Sequence, residues 1–180
     1  MKAKGTAYYI SIFIITSLLF LGCRETPPSY KKIQFPSTIV IKNQTQYKEC
    51  DTIILALSHL IFKIDQIHVS ILYFPENLNV SEQSLGDVFI RIDNTRNNGF
   101  YLFLRKNLPH QEIEELLCLE FIHIDQYLRG DLIFFDDRII WKGEIFKYKD
   151  FDYYDLPHNV EAYTIQDSVV SKLKDVLYLK

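Results

Sequence analysis

The chain has 180 residues, of which 48% are hydrophobic and 24% are charged, and its formal net charge is -3. This composition is typical of a folded globular protein, and the length allows about one domain with a sizeable core. Because the balance is slightly acidic and shows no basic stripe that could replace phosphate counterions, we expect no nucleic-acid partner.

The first 22 residues have the plan of a secretory signal peptide. Lys2 and Lys4 form a positive start, and residues 7–22 (AYYISIFIITSLLFLG) are almost continuously apolar. A bilayer span needs about 20 apolar residues, and this shorter run ends at Cys23 rather than at positively charged flanks. The sequence therefore predicts a removable leader over 1–22, with an uncleaved anchor helix as the alternative.

The sequence FLGC at residues 20–23 resembles the lipobox of bacterial lipoproteins. Its first position holds Phe where the family usually has Leu. In that family the bond before the cysteine is cleaved and the thiol carries diacylglycerol. The resemblance implies that Cys23 is the lipidated first residue of the mature chain, anchored to a membrane of the bacterial envelope and facing the periplasm or the exterior. Residues 23–32 then form the lipidated cysteine and a polar, Pro-containing tether, and 33–180 forms one domain.

In the first half of this domain, the spacing of apolar residues changes along the sequence from that of a helix to the alternation typical of strands. Asp51 lies near the start of the helical segment, where it favours the helix dipole. After residue 65 the period is two, and the strands are bounded by Pro75 and by the turn-forming sequence NTRNNG. The predicted elements are an edge strand or extended lead-in over 33–41, a helix over 45–63, and strands over 66–74, 87–93 and 100–105, the last two forming a hairpin.

Residues 111–128 (QEIEELLCLEFIHIDQYL) give the clearest helix in the chain. Glutamates crowd its first turns, as the helix dipole favours, and Gly130 ends it. Apolar side chains lie nearly all round this segment, so we expect the helix to be central.

The remaining segments complete an α+β fold, with a small antiparallel or mixed sheet packed against the central helix and a C-terminal helix. An acidic, aromatic segment precedes the last helix and is predicted to be a solvated loop. The elements are strands over 132–135 and 138–141, a further extended stretch over 144–148, the acidic loop over 150–155, and a helix over 159–178.

Two cysteines, Cys50 and Cys118, lie within the domain. An oxidising envelope compartment permits a disulfide between them. The apolar surroundings of Cys118 in the central helix favour a buried free thiol instead. The sequence does not give the distance between the two Cα atoms, so both readings stay open.

Polar residues interrupt the apolar central helix at Glu120 and His123, and Glu161 opens the last helix in the sequence PHNVEAY. Buried polar groups need partners, so Glu120 and His123 could be a hydrogen-bonded core pair. The arrangement also resembles the minimal zincin fold of HExxH-type, gluzincin-like metallopeptidases. In that family two histidines four residues apart bind zinc, the intervening glutamate is the general base, and a glutamate on a later helix completes the site.

The resemblance covers residues 101–166 and implies a role for each matching residue. His123 corresponds to the second zinc ligand, Glu120 to the base and Glu161 to the third ligand. The strand YLFLR at 101–105 resembles the edge strand that lines the family's substrate cleft. The continuation HIDQ after Glu120 and the segment WKG at 141–143 also recur in small bacterial domains of this kind.

One position departs from the motif, because Leu119 stands where the first histidine is expected. Leucine has no lone pair for a metal, which leaves His123 and Glu161, one fewer than the three protein ligands of catalytic zinc. Zinc binding therefore stays open. Cys118 points about 100° away from Leu119 on the helix, whereas His158 could reach inward as a substitute ligand.

These observations lead to three hypotheses. The first is a lipid-anchored envelope protein with a zincin-like domain that is impaired or inactive as a peptidase, a pseudoenzyme that binds a peptide or protein partner by strand addition along 100–105. The second is an active zinc-dependent hydrolase with a rearranged ligand set. The third is a non-catalytic structural envelope lipoprotein in which Glu120 and His123 are core polar groups.

Overall fold

A computed structural model describes residues 38–74 and 88–178, and these residues have an α+β fold, as the sequence predicts. The leader over 1–22, Cys23 and the tether lie outside the described residues. The strands are β1 (Ile39–Asn43), β2 (Ile67–Tyr73), β3 (Val88–Asp93), β4 (Gly99–Leu104), β5 (Leu132–Phe134), β6 (Arg138–Trp141) and β7 (Glu144–Lys147). The α-helices are α1 (Glu49–Leu55), extended by a π-helical turn over Ala56–Ile61, α2 (His110–Leu128) and α3 (Pro157–Leu177).

The larger sheet has four strands in the order β1-β2-β4-β3. Strands β1, β2 and β4 are parallel, and β3 runs antiparallel to β4. The strands alternate as their sequences predict, so that one face is fully buried against the helices. Ile67, Val69 and Ile71 of β2 and Phe100 and Leu102 of β4 line that face. The hairpin predicted over 87–105 is confirmed.

Residues 100–105 are not an edge strand, and that part of the prediction is wrong. Strand β4 has β2 on one side and β3 on the other, so both of its edges are hydrogen-bonded. Among the described residues, the edges of the sheet are β1 and β3. The alternation of apolar residues shows which face of a strand is buried, but it does not show which strands lie beside it. Strand addition along 100–105 is therefore ruled out.

Helix α2 lies at the centre of the domain, as its apolar circumference predicts. Ile113, Leu117, Phe121 and Ile124 are fully buried within one core. The helix packs against α3, β3 and α1. Gly130 lies just after the last residues of the helix and has a φ of 76°. Glycine adopts this left-handed conformation readily, and it ends the helix.

A second, three-stranded antiparallel sheet is inserted between α2 and α3, in the order β5-β6-β7. A two-residue turn, Lys142-Gly143, joins β6 to β7, and both residues have positive φ values of 48° and 87°. Such a turn matches the twist of a hairpin. It holds Lys142 beside the first turns of α3, next to Glu161.

Both cysteines are buried free thiols in the described structure. Burial raises the pKa of the Cys118 thiol to about 12 and that of Cys50 still further. The prediction of a buried thiol at Cys118 is confirmed. The acidic segment over 150–155 is exposed, as expected for a solvated loop. Within residues 38–74 and 88–178, no helix has both the length and the hydropathy needed to cross a bilayer.

Candidate functional site

The predicted site residues lie where the second half of α2 meets the first turns of α3. Glu120, His123 and Gln126 project from the buried part of α2. His158 and Glu161 belong to the start of α3, which Pro157 begins at a position where its missing N–H needs no partner. Two distant stretches of sequence are thereby brought together.

Gln126 makes three hydrogen bonds, two of which connect α2 to α3 and one of which joins it to His123 on α2 itself. Its amide nitrogen donates to the backbone oxygen of His158 at 3.1 Å and to Oε2 of Glu161 at 2.9 Å. Its amide oxygen lies 2.9 Å from Nδ1 of His123. Gln126 is fully buried, so these bonds satisfy a polar group that would otherwise destabilise the core.

These bonds fix the tautomer of His123. Because the amide nitrogen of Gln126 donates to two oxygens, its amide oxygen must accept, and Nδ1 of His123 must carry the proton. Nε2 then holds a lone pair. This nitrogen is buried and has no hydrogen-bond partner. Burial lowers the pKa of His123, and the bond to Gln126 opposes that shift only in part, so the ring is neutral at neutral pH.

His158 did reach inward, as one of the sequence alternatives expects. Its ring centre lies 5.3 Å from that of His123, and the aromatic rings of Phe134 and Trp141 lie 6.2 Å and 6.4 Å away. Its Nδ1 is also buried and without a partner. Burial and the neighbouring His123 lower the pKa of His158 to about 3.

Glu120 is buried beside the edge strand β3. Burial raises the pKa of its carboxyl to about 8, and a hydrogen bond from the backbone N–H of Ile90 only partly opposes this shift. The phenols of Tyr153 and Tyr163 lie near enough for the charge of Glu120 to contribute to the raised pKa of each. At neutral pH Glu120 is mainly a protonated acid.

Glu161 is ionised and surrounded by cations. Burial opposes its ionisation, but hydrogen bonds from Lys142 and Gln126 and the charge of Arg129 lower its pKa below the usual value. Lys142 Nζ lies 3.0 Å from Oε1, and Arg129 lies 3.7 Å from Oε2. Each carboxylate oxygen of Glu161 therefore already has a partner.

The zinc ion that the resemblance implies does not fit the residues assigned to it. Leu119 is buried on α2 and offers no donor atom. Glu161 directs both oxygens to Lys142, Gln126 and Arg129. Of the three positions expected to bind zinc, His123 alone offers a nitrogen with an available lone pair. Its other ring nitrogen is bonded to Gln126, as the second nitrogen of a metal-binding histidine usually is bonded to a partner. In the described part of the chain, no three His, Cys, Asp or Glu side chains are grouped as metal ligands.

Two features of the site were not assigned from the sequence. Lys142 was noted only as part of the WKG segment, and its positive φ in a two-residue turn is the signal that could have placed it beside α3. Tyr153 belongs to the acidic loop, which is exposed as predicted, whereas Tyr163 belongs to α3; both side chains are exposed and both lie near Glu120. No sequence pattern reports that proximity, because the loop and α2 meet only in the folded chain.

Comparisons of this chain with models of protein families, with curated proteins and with solved structures found no match.

Proposed function

We propose that this protein is a lipid-anchored protein of the bacterial envelope whose zincin-like domain does not hydrolyse peptides and acts by binding a peptide or protein. The observation that carries the proposal is the state of the expected ligands. Leu119 has no donor atom, and the carboxylate of Glu161 is bonded to Lys142 and Gln126. One of the three ligands of a catalytic zinc site is therefore missing, and a second is already paired with other side chains.

The protonation of Glu120 supports the same proposal. A general base must be ionised to accept a proton from water, and its effective pKa lies near or below the working pH. Burial raises the pKa of Glu120 to about 8, and no cation among the described residues contributes to lowering it. Lys142 and Arg129 lie beside Glu161 instead. They stabilise the negative charge of its carboxylate, which in a zinc site would be stabilised by the metal.

Exposed aromatic rings beside Glu120 support a binding role. Tyr153, Tyr154 and Tyr163 are all exposed, and Tyr154 is 68% exposed. Their ring centres are 5.4 Å apart between the first two and 5.7 Å apart between the last two. Clustered surface tyrosines supply large contact area and hydroxyl groups, as partner-binding surfaces do.

The anchor is supported by the leader and the lipobox-like sequence ending at Cys23. Its test is incorporation of radiolabelled palmitate by cells that express the full chain or its Cys23→Ser variant. We expect label in the natural protein only, with the variant lost from the membrane fraction. Cys118→Ser is the matched control and should label like the natural protein. Equal labelling of the natural protein and Cys23→Ser would overturn the anchor.

The proposed loss of peptidase activity is tested with the full-length protein in detergent and a mixture of unstructured peptides of varied sequence, with and without added zinc. We expect the natural protein to cleave no faster than its Glu120→Gln variant. Zinc-dependent cleavage that is lost in Glu120→Gln would contradict the proposal and favour an active hydrolase. Glu144→Gln, the same substitution at an exposed position of β7, is the matched control.

A further inference from the structure

We propose that His123 Nε2 and His158 Nδ1 form a two-histidine site for a borderline transition-metal ion such as Cu²⁺, Ni²⁺ or Zn²⁺. This site differs from the ligand set of the zincin motif, because it uses a histidine of α3 and neither position 119 nor Glu161. The inference goes beyond the proposed function, since metal binding here requires no peptide hydrolysis.

The first argument is that both nitrogens are buried without partners. His123 is 5% exposed and His158 is 4% exposed, and neither named nitrogen has a hydrogen bond to any residue that the structure describes. A buried polar atom without a hydrogen-bond partner destabilises a folded protein. Two such atoms on neighbouring rings are costly unless a ligand satisfies both, so their retention points to a shared ligand.

The second argument is the spacing of the rings, whose centres are 5.3 Å apart with planes tilted by 55°. A metal–nitrogen distance of about 2.1 Å puts each ring centre about 3.2 Å from the ion, and two rings related by the tetrahedral angle then have centres about 5.2 Å apart. The observed separation therefore suits two imidazoles on one tetrahedral ion. It is too short for two rings on opposite sides of an ion, whose centres would be about 6.4 Å apart by the same distances.

The third argument is the way in which Gln126 holds both histidines. Its oxygen accepts a hydrogen bond from Nδ1–H of His123, which leaves the lone pair of that ring on Nε2. Its nitrogen binds the backbone oxygen of His158 and ties that residue to α2. A partner on the second nitrogen fixes the tautomer and orientation of a metal-binding histidine, and its loss weakens metal affinity about 10- to 100-fold.

The chemistry of the donors selects the metal. Neutral imidazole suits Zn, Cu and Ni rather than Mg or Ca, and the tetrahedral spacing favours Zn²⁺ among them; Cu²⁺, which binds most tightly among the common divalent ions, serves as the paramagnetic probe. Two protein ligands leave further positions for water or for a donor from a bound molecule. Trp141 and Phe134 form apolar walls beside His158, which limits the number of waters that can compete.

The test is a Cu²⁺ titration of the full-length protein in detergent, followed by electron paramagnetic resonance and by quenching of Trp141, the only tryptophan in the chain. We expect one ion per chain with a spectrum of two coordinated imidazole nitrogens. His123→Leu and His158→Phe should each weaken binding at least 10-fold. His110→Gln is the matched control, because His110 lies about 20 Å along α2 from His123, and it should bind like the natural protein.

Phenylalanine at 158 keeps an aromatic ring among Phe134 and Trp141, so that variant should fold; circular dichroism of the far ultraviolet checks it. Absence of binding by the natural protein, or equal affinity in folded His158→Phe, would overturn the inference. Neither result bears on peptide hydrolysis, which Glu120→Gln tests separately.

Discussion

Replacing Glu120 with glutamine should stabilise the protein at neutral pH and leave its stability nearly unchanged in acid. The carboxyl of Glu120 has a pKa of about 8 in the folded protein against an ordinary 4.5. Between these values the unfolded chain has lost a proton that the folded chain keeps, so stability falls as the pH rises from about 4.5 to about 8. At pH 7 this loss is about 3 kcal/mol.

Glutamine has the shape of a protonated glutamate and cannot ionise, so the variant lacks this loss. Its amide oxygen can still accept the hydrogen bond that the N–H of Ile90 makes to Glu120. The assay is urea unfolding of both proteins between pH 4.5 and pH 8.5, followed by the fluorescence of Trp141. We expect the difference in unfolding free energy, variant minus natural, to grow by about 3 kcal/mol between pH 4.5 and pH 7. A difference that does not change with pH would refute a protonated Glu120.

Three further predictions concern the surroundings of the site. Gln126→Leu should lower the free energy of unfolding by about 3 kcal/mol in urea, because it removes three hydrogen bonds and leaves Nδ1 of His123 buried without its partner; a loss below about 1 kcal/mol would contradict the bonding described. Lys142→Met should change stability by less than about 1 kcal/mol, since its ion pair with Glu161 is largely exposed, and a larger loss would show a buried pair. Cys118, buried with a pKa of about 12, should react with a thiol reagent at pH 8 only after unfolding, and rapid labelling of the folded protein would show that it is accessible.

The sequence predicted the elements of the fold well wherever a hydrophobic period was strong. The helix predicted over 111–128 is α2, and the hairpin over 87–105 is β3 and β4. Periodicity reports the buried face of each element, which is a local property. The order β1-β2-β4-β3 depends on which strands pair across long stretches of chain, and for that reason 100–105 was wrongly taken as an edge.

The candidate site was predicted only in part. The sequence placed Glu120, His123 and Glu161 near one another, and Gln126 does connect His123 to Glu161. The sequence could not show which partners each carboxylate contacts. Glu161 turns to Lys142 and Arg129, which enter from a turn and from the end of α2.

The same limitation applies to the histidines. The sequence does not show whether a histidine has a ring nitrogen without a hydrogen bond or has both ring nitrogens bonded. The structure separates them, because it shows Nε2 of His123 and Nδ1 of His158 buried without partners. Side-chain direction and tertiary contacts, and not residue type, decide which groups of this site are available to a ligand.

The central claim is that this domain lacks the metal site of a peptidase because Leu119 has no donor atom. Positions 119 and 123 lie four residues apart on one face of α2. The measurement is the zinc affinity of the full-length protein in detergent, compared with its Leu119→His variant and with Leu119→His combined with His123→Leu. We expect Leu119→His to bind zinc at least 100-fold more tightly than the natural protein, with the gain lost in the double variant. Equal zinc affinities of the natural protein and Leu119→His would contradict the claim.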